Sequence, residues 1–184
     1  MEQLTLRPPH PGDLAAIHEI YAHHVRTGLG TFEEAPPSVE EMAGRQAAVL
    51  ERGLPYLVAE ADGRVLGYAY AGPFRTRSAY RYTVEDSVYV AADAHRRGVG
   101  RTLLQAVIAR CEAMGLRQML AVIGDSGNDG SIGLHRACGF EFKAVLPGVG
   151  FKFGRWVDIV WMQLPLGGGT ASPPEGPGLA LGGA

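Results

Sequence analysis

Thr83-Val84-Glu85-Asp86-Ser87-Val88-Tyr89-Val90, then His95-Arg96-Arg97-Gly98-Val99-Gly100, then the run from Arg101 to Met114, is the stretch that decides the fold. Its first part is β-forming, with two acidic residues set among valines and a tyrosine. In its last part Leu103, Leu104, Val107, Ile108 and Cys111 recur on one face at helical spacing, and Gly115 follows as a natural stop. A strand therefore feeds a basic, glycine-bearing turn that opens a helix. At such a junction the N–H groups of the first helical turn have no intrahelical partner, and the helix dipole favours negative charge. The turn reads either as a plain connection or as a phosphate cradle formed by Arg96, Arg97, Gly98, Val99, Gly100 and Arg101.

The spacing excludes two other nucleotide sites. The full Gly-x-Gly-x-x-Gly of a dinucleotide fold is missing, and no acidic residue ends a strand about 20 positions further on to hold a ribose. The Gly-x-x-x-x-Gly-Lys-Ser/Thr loop of a nucleoside triphosphatase does not occur either. The anion expected here is a diphosphate held by main chain and arginines.

Outward from this core, Asp13 is placed to cap a helix carrying Leu14, Ile17, Ile20 and Tyr21, after a short strand from Leu4 to Arg7. A polar loop spans Gly28 to Ser38, and Val39 to Arg52 reads as a second helix. Strands at Leu57–Glu60 and Val65–Tyr70 flank Asp62-Gly63, a hairpin signal. Beyond the cradle helix come a strand at Gln118–Ile123, a short helix from Asp129 to Cys138, and strands around Phe140–Leu146 and Trp156–Leu164. The expected class is α+β: a central mixed, mostly antiparallel twisted sheet flanked by helices. One domain is expected over residues 1–164, followed by a Gly/Pro-rich mobile tail over residues 165–184 that lacks the residues to build a core.

At 184 residues the chain suits a single core, and its formal charge of −2 gives no broad basic field for nucleic acid. No apolar run approaches the roughly 20 residues that cross a bilayer. The Met1-Glu2-Gln3 start has no signal-peptide pattern, and Cys111 and Cys138 form no Cys-x-x-Cys pair, so a cytoplasmic location is expected. His10, His18, His23 and His24 are not joined to carboxylates at metal-binding spacing, and no metal is expected.

Four blocks carry a resemblance: Gly67-Tyr68-Ala69-Tyr70-Ala71-Gly72, Tyr82 through Val90, Ser131-Ile132-Gly133-Leu134-His135-Arg136, and Phe151-Lys152-Phe153-Gly154-Arg155-Trp156. Through them, residues 4 to 164 resemble the GNAT superfamily of acetyl-CoA-dependent N-acetyltransferases, nearest to its phosphinothricin and methionine sulfoximine subgroup. The resemblance implies acetyl-CoA as co-substrate, a homodimer, and a pantetheine arm paired with Val88, Tyr89 and Val90. It also places the pyrophosphate on the turn from Arg96 to Arg101 and a cofactor contact at Asn128, which also reads as a helix cap. Two departures stand out. The turn opens with His95 where the superfamily usually has Gln or Arg, and the loop Phe74-Arg75-Thr76-Arg77-Ser78-Ala79-Tyr80 lacks a close match in the subgroup.

The reaction implied needs a group that takes a proton from an ammonium before its nitrogen attacks a thioester. Strand alternation puts Glu85 on one face with Thr83, Ser87 and Tyr89, opposite Val84, Val88 and Val90. Glu85 is the candidate base, or a salt-bridge partner of an arginine; Asp86 is a candidate for sensing the substrate amine. His135, where many relatives carry a tyrosine near the departing sulfur, is the candidate acid or a packing residue. Cys138 reads as a small buried residue, since direct attack by an amine needs no acyl-enzyme. Around the acceptor, Arg75 and Arg77 could clamp a carboxylate or phosphinate. Phe32, Phe74 and Tyr80 could wall an apolar slot beside Ser87. The expected reaction is acetyl transfer to the α-amino group of a small glutamate- or methionine-type amino acid. The alternatives are another amine, such as a polyamine or a protein N-terminus, and a non-catalytic acetyl-CoA-binding module.

Overall fold

The architecture follows from how far each strand keeps its partner. In the computed structural model, which describes residues 4–181, one seven-stranded sheet has the order β1-β2-β3-β4-β5-β7-β6. Its strands are β1 (Thr5–Arg7), β2 (Tyr56–Ala61), β3 (Arg64–Pro73), β4 (Thr83–Val90), β5 (Gln118–Gly124), β6 (Glu141–Lys152) and β7 (Arg155–Pro165). All neighbours are antiparallel except β4 and β5. Four helices flank it: α1 (Leu14–Thr27), α2 (Val39–Glu51), α3 (Val99–Ala113) and α4 (Asp129–Ala137). The mixed α+β sheet is the expected one.

Local chemistry accounts for the joints. Asp62 and Gly63 both take positive φ (51° and 74°), the two-residue turn whose twist matches paired strands. Gly67 of β3 lies so close to β4 that a Cβ there would sit 2.8 Å from the Tyr89 carbonyl oxygen. Asp13 stands at the start of α1 but makes no cap bond to the helix. Its carboxylate instead takes two hydrogen bonds from Arg7, at 2.6 and 2.8 Å, and one from the His10 N–H at 2.6 Å, tying β1 to the helix start.

β4 divides the core by alternation. On one face Tyr89 packs edge-on against Tyr21 of α1, with ring centroids 5.0 Å apart. On the other, Val88 and Val90 meet the start of α3 at Gly100, and Asp86 meets α4.

Two expectations need correction. The cradle helix begins at Val99, inside the glycine turn, rather than at Arg101. β6 runs on to Lys152 instead of stopping near Leu146, because it is the outer strand of a long hairpin closed at Phe153 and Gly154, both at positive φ (50° and 73°). Pro147 is tolerated there because an edge strand has a side that needs no N–H donor. The glycine-rich segment after Pro165 makes several contacts with the body as far as it is described. Leu166 and Leu179 are buried, Arg117 bonds the Gly169 and Ser172 carbonyls at 2.8 and 2.7 Å, and the Leu179 N–H donates to the Arg81 carbonyl at 2.8 Å. Isolated leucines between glycines are enough to anchor a segment to neighbouring loops. Residues 1–3, including the start read for targeting signals, and 182–184 lie outside the described residues.

Candidate active site

The site begins where β4 and β5 stop pairing. Their parallel ladder holds only Thr83↔Gln118, Val84↔Met119 and Glu85↔Leu120. Beyond it β4 continues to Val90 and β5 to Gly124, so the two strands splay and leave main-chain groups open between them. A cavity of about 1040 Å³ fills the splay, enough for a large cofactor. It is lined along β4 from Glu85 to Val90, along β5 by Ala121, Val122 and Ile123, and at its far end by the turn before α3.

That turn has the geometry of an anion cradle. Arg96 and Gly98 both adopt positive φ (60° and 81°), which wraps the chain around the start of α3. The first intrahelical bond runs from the Thr102 N–H to the Gly98 carbonyl at 3.0 Å, so the N–H groups of residues 99 to 101 lie ahead of it at the positive end of the helix. A Cβ at Gly100 would press on Leu134 and Val90 at 3.3 and 3.4 Å. A side chain there would make the Leu134 and Val90 side chains give way by a few tenths of an ångström. Arg96, Gly98, Val99 and Gly100 line the cavity; Arg97 and Arg101 belong to the same turn but not to its lining. These residues fit a pyrophosphate.

At the apex, two neighbouring carboxylates diverge. Glu85 is half-buried on the α1 face, and burial, then the nearby charge of Asp86, raise its pKa to about 7 against the opposing pull of Arg75. Asp86 is buried on the α4 face, where its Oδ2 lies 2.9 Å from His135 Nε2. Ser87, back on the Glu85 face, lines the cavity beside them. His135 is 4% exposed and sits in the last turn of α4. Burial opposes its charge, but the bond to Asp86, the charge of Asp86 and the Ser131 carbonyl together hold its pKa above the ordinary value. Asn128 caps α4: its Oδ1 accepts from the Ser131 N–H at 3.2 Å, and its Nδ2 donates to the Gly124 carbonyl at 3.3 Å.

The residues expected around the acceptor are brought only partly together. Arg75, Arg77 and Tyr80 are exposed on the loop between β3 and β4, Arg75 near enough to Glu85 to feel its charge. Phe74 packs edge-on against Tyr80 and Trp161, at 5.5 and 5.7 Å. Phe32 lies elsewhere, with its ring against Gly124 and Gly150.

Two further residues shape this region. Lys152, 1% exposed, donates at 2.8 Å to both the Gly28 and Thr31 carbonyls, bolting the loop after α1 to the β6–β7 hairpin. A lysine between two aromatic residues on a strand was the only sequence signal. His24 lines the cavity and bonds the Val90 carbonyl at 2.9 Å. Nothing distinguished it from the other histidines of its helix.

Open strand edges leading to an anion cradle suit a phosphorylated carrier, and Glu85 at the apex is placed to move a proton where that carrier's cargo would react, so the class is a group-transfer enzyme. The chain belongs to the Acetyltransferase (GNAT) family, whose profile matches residues 14–140, and it is an acetyl-CoA-dependent N-acetyltransferase. It is 61% identical over 171 residues to a phosphinothricin N-acetyltransferase of Alcaligenes faecalis, covering 93% of this chain and 87% of that one. It is 44% identical over 173 residues to an L-methionine sulfoximine/L-methionine sulfone acetyltransferase of Pseudomonas paraeruginosa, covering 92% and 98%. Among solved structures, a GNAT phosphinothricin acetyltransferase from Sinorhizobium meliloti in complex with acetyl-CoA superposes with a TM-score of 0.90 at 49% identity, covering 94% of each chain.

Proposed function

We propose that this enzyme acetylates the α-amino group of a small amino-acid analogue of the phosphinothricin or methionine sulfoximine type, by direct attack within a ternary complex. The observation that carries the reading is the position of Glu85, the last β4 residue paired to β5, with a pKa near 7 at the mouth of the splay. The names of the relatives supply the acceptor class.

Acetyl-CoA supplies the acetyl group as a thioester. Val88, Tyr89 and Val90 offer their open strand edge to its pantetheine arm. Arg96 to Arg101 receive its pyrophosphate through N–H groups and guanidinium charge, and Asn128 fixes the loop beside it. Glu85 takes a proton from the acceptor's ammonium, freeing the lone pair for attack; a base whose pKa lies near the working pH is suited to this. His135 stands on the opposite side of the apex, where the sulfur departs. Arg75 and Arg77 receive the acceptor's carboxylate or phosphinate, while Phe74, Tyr80 and Ser87 border its side chain; Phe32, packed against Gly124 and Gly150, is left out of that slot. Asp86, considered above as a sensor of the amine, is engaged by His135 instead.

We further propose a homodimer in the cytoplasm. Phe142, Phe151 and Trp156, at 52%, 56% and 69% exposure on the edge hairpin, offer an apolar surface for a second copy. No described helix is long and apolar enough to cross a membrane.

An assay of free-thiol release from acetyl-CoA over a panel of amines tests the acceptor. Phosphinothricin and methionine sulfoximine should turn over well above glutamate, polyamines and N-terminal peptides. Preference for a polyamine or a peptide would replace this reading, and no release with any amine would favour a binding module.

A further inference from the structure

The hydrogen bonds around His135 constrain its protonation state. Nδ1 has two partners on Ser131, the hydroxyl at 3.4 Å and the carbonyl oxygen at 2.8 Å; the much closer one can only accept, which puts the proton on Nδ1. Nε2 lies 2.9 Å from Asp86 Oδ2 in a contact where the two side chains are 6% and 2% exposed. With Asp86 ionised, that nitrogen must also carry a proton, which makes the ring an imidazolium. Both ring nitrogens are then donors, and neither retains a lone pair with which to act as a base.

The surroundings favour this state. His135 is in the last turn of α4, where the negative end of the helix dipole attracts a cation. Phe140 stands edge-on to the ring at 5.0 Å and shuts off that side. From α3, Cys111 faces the same carboxylate. Burial and then Asp86 raise its pKa, so it stays a neutral thiol. Cys138 at the end of α4 also stays a thiol: burial raises it, with Arg101 opposing and Asp86 adding. Glu85, one residue along β4, points to the other face. Asp86 is thus the anion in contact with His135. Its Oδ1 is buried without a hydrogen-bond partner among the described residues.

We infer that Asp86 is a positioning residue that locks His135 as a doubly protonated, immobile imidazolium at the apex of the splay, where its charge meets the negative charge growing on the leaving sulfur. This rests on the proposed placement of the departing thiolate beside His135. As the N–C bond forms, the C–S bond breaks and its electron pair leaves on sulfur. Of the two protons the ammonium loses, the first goes to Glu85 and the second converts the thiolate to the free thiol. His135 keeps both of its own. The arrangement removes His135 from the role of base and leaves that role to Glu85.

The test is histidine ¹⁵N NMR on the full-length protein, combined with pH–rate profiles. In the wild type both nitrogens of His135 should be protonated at pH 7.5, above the ordinary imidazole midpoint. In Asp86→Asn the midpoint should fall by about one pH unit or more, the scale of a lost contact with an opposite charge. The basic limb of kcat should move down with it, while the acid limb stays in place. Asp86→Glu should restore part of the shift. A neutral His135 ring in the wild type at pH 7.5 would overturn the inference whatever the variants do. So would an Asp86→Asn enzyme that loses thermal stability with no movement of the basic limb, since that is the behaviour of a merely structural pair. The NMR state of the free enzyme is independent of which amine is acetylated, so failure of the acceptor assignment would be seen separately.

Discussion

The two faces of β4 treat adjacent carboxylates in opposite ways. Glu85 looks toward α1 with an exposed arginine nearby and a pKa lifted to about 7, while Asp86 looks toward α4 and is closed into an ion pair with a buried histidine. One residue of strand alternation separates a carboxylate free to exchange a proton from one closed into contact with a histidine. The comparison shows how a parallel ladder that ends early can place both at a single apex: they share the position along the strand and differ only in what packs over them.

Removing the free carboxylate should have the largest effect. Glu85→Gln keeps the volume and deletes the basicity, and kcat at pH 8 should fall about 100-fold or more, the typical share of a general base. Acetyl-CoA affinity by calorimetry should be unchanged, because the splay and the cradle are untouched. A variant that lost affinity instead would mean that Glu85 shapes the cofactor site.

Next in size is the cradle that serves both faces. Gly98 has open space around its α-carbon but holds φ at 81°, so a side chain is disfavoured there by backbone strain rather than by a clash. Gly98→Val should weaken acetyl-CoA binding by about 10-fold, from a left-handed penalty of roughly 1–2 kcal/mol. Calorimetry reads this directly, and unchanged affinity would remove the turn from the binding site.

Lys152 holds the loop whose residues Gly28 to Thr31 line the cavity. Lys152→Met keeps the bulk and loses both bonds, leaving two carbonyls short of a donor. The KM for the acceptor should rise several-fold, with a smaller change in kcat and none in acetyl-CoA affinity. Equal changes in both substrates' constants would show general loosening instead.

The smallest effect on catalysis is expected farthest from the apex. Truncation after Pro165 exposes the pocket of Leu166, which is fully buried, and that of Leu179. Each leucine is worth about 2–3 kcal/mol of burial at most, so Tm should drop by several degrees. Turnover at 25 °C should change less than two-fold. An unchanged Tm would return the segment to the mobile tail its composition implies.

What was legible in the sequence followed local rules. The limits of β4 and the Asp62-Gly63 turn came from propensity and turn chemistry, and the side of β4 on which Glu85 lies came from alternation, because each depends on neighbours in the chain. The partner of Asp86 was not legible: His135 lies 49 positions away, and only the crossing of α4 over the splay brings the two together. The same holds for Lys152 and the carbonyl of Gly28, 124 positions apart. The contacts of the tail were not legible either, because composition counts its glycines and prolines but does not show that Leu166 and Leu179 are buried. The length of β6 was missed because a phenylalanine at positive φ closes its hairpin, where sequence rules look for glycine or asparagine.

The central claim is that Glu85 is the ionising base while the carboxylate beside it is locked away, and the pH dependence of kcat/KM for phosphinothricin tests it most directly. Glu85 acts when deprotonated, so the rate should rise with pH through an apparent pKa of about 7 in the free enzyme. That acid limb should vanish in Glu85→Gln, leaving a low, flat rate over the same range. An acid limb that persists unchanged in Glu85→Gln would contradict the account and assign the titration to another group.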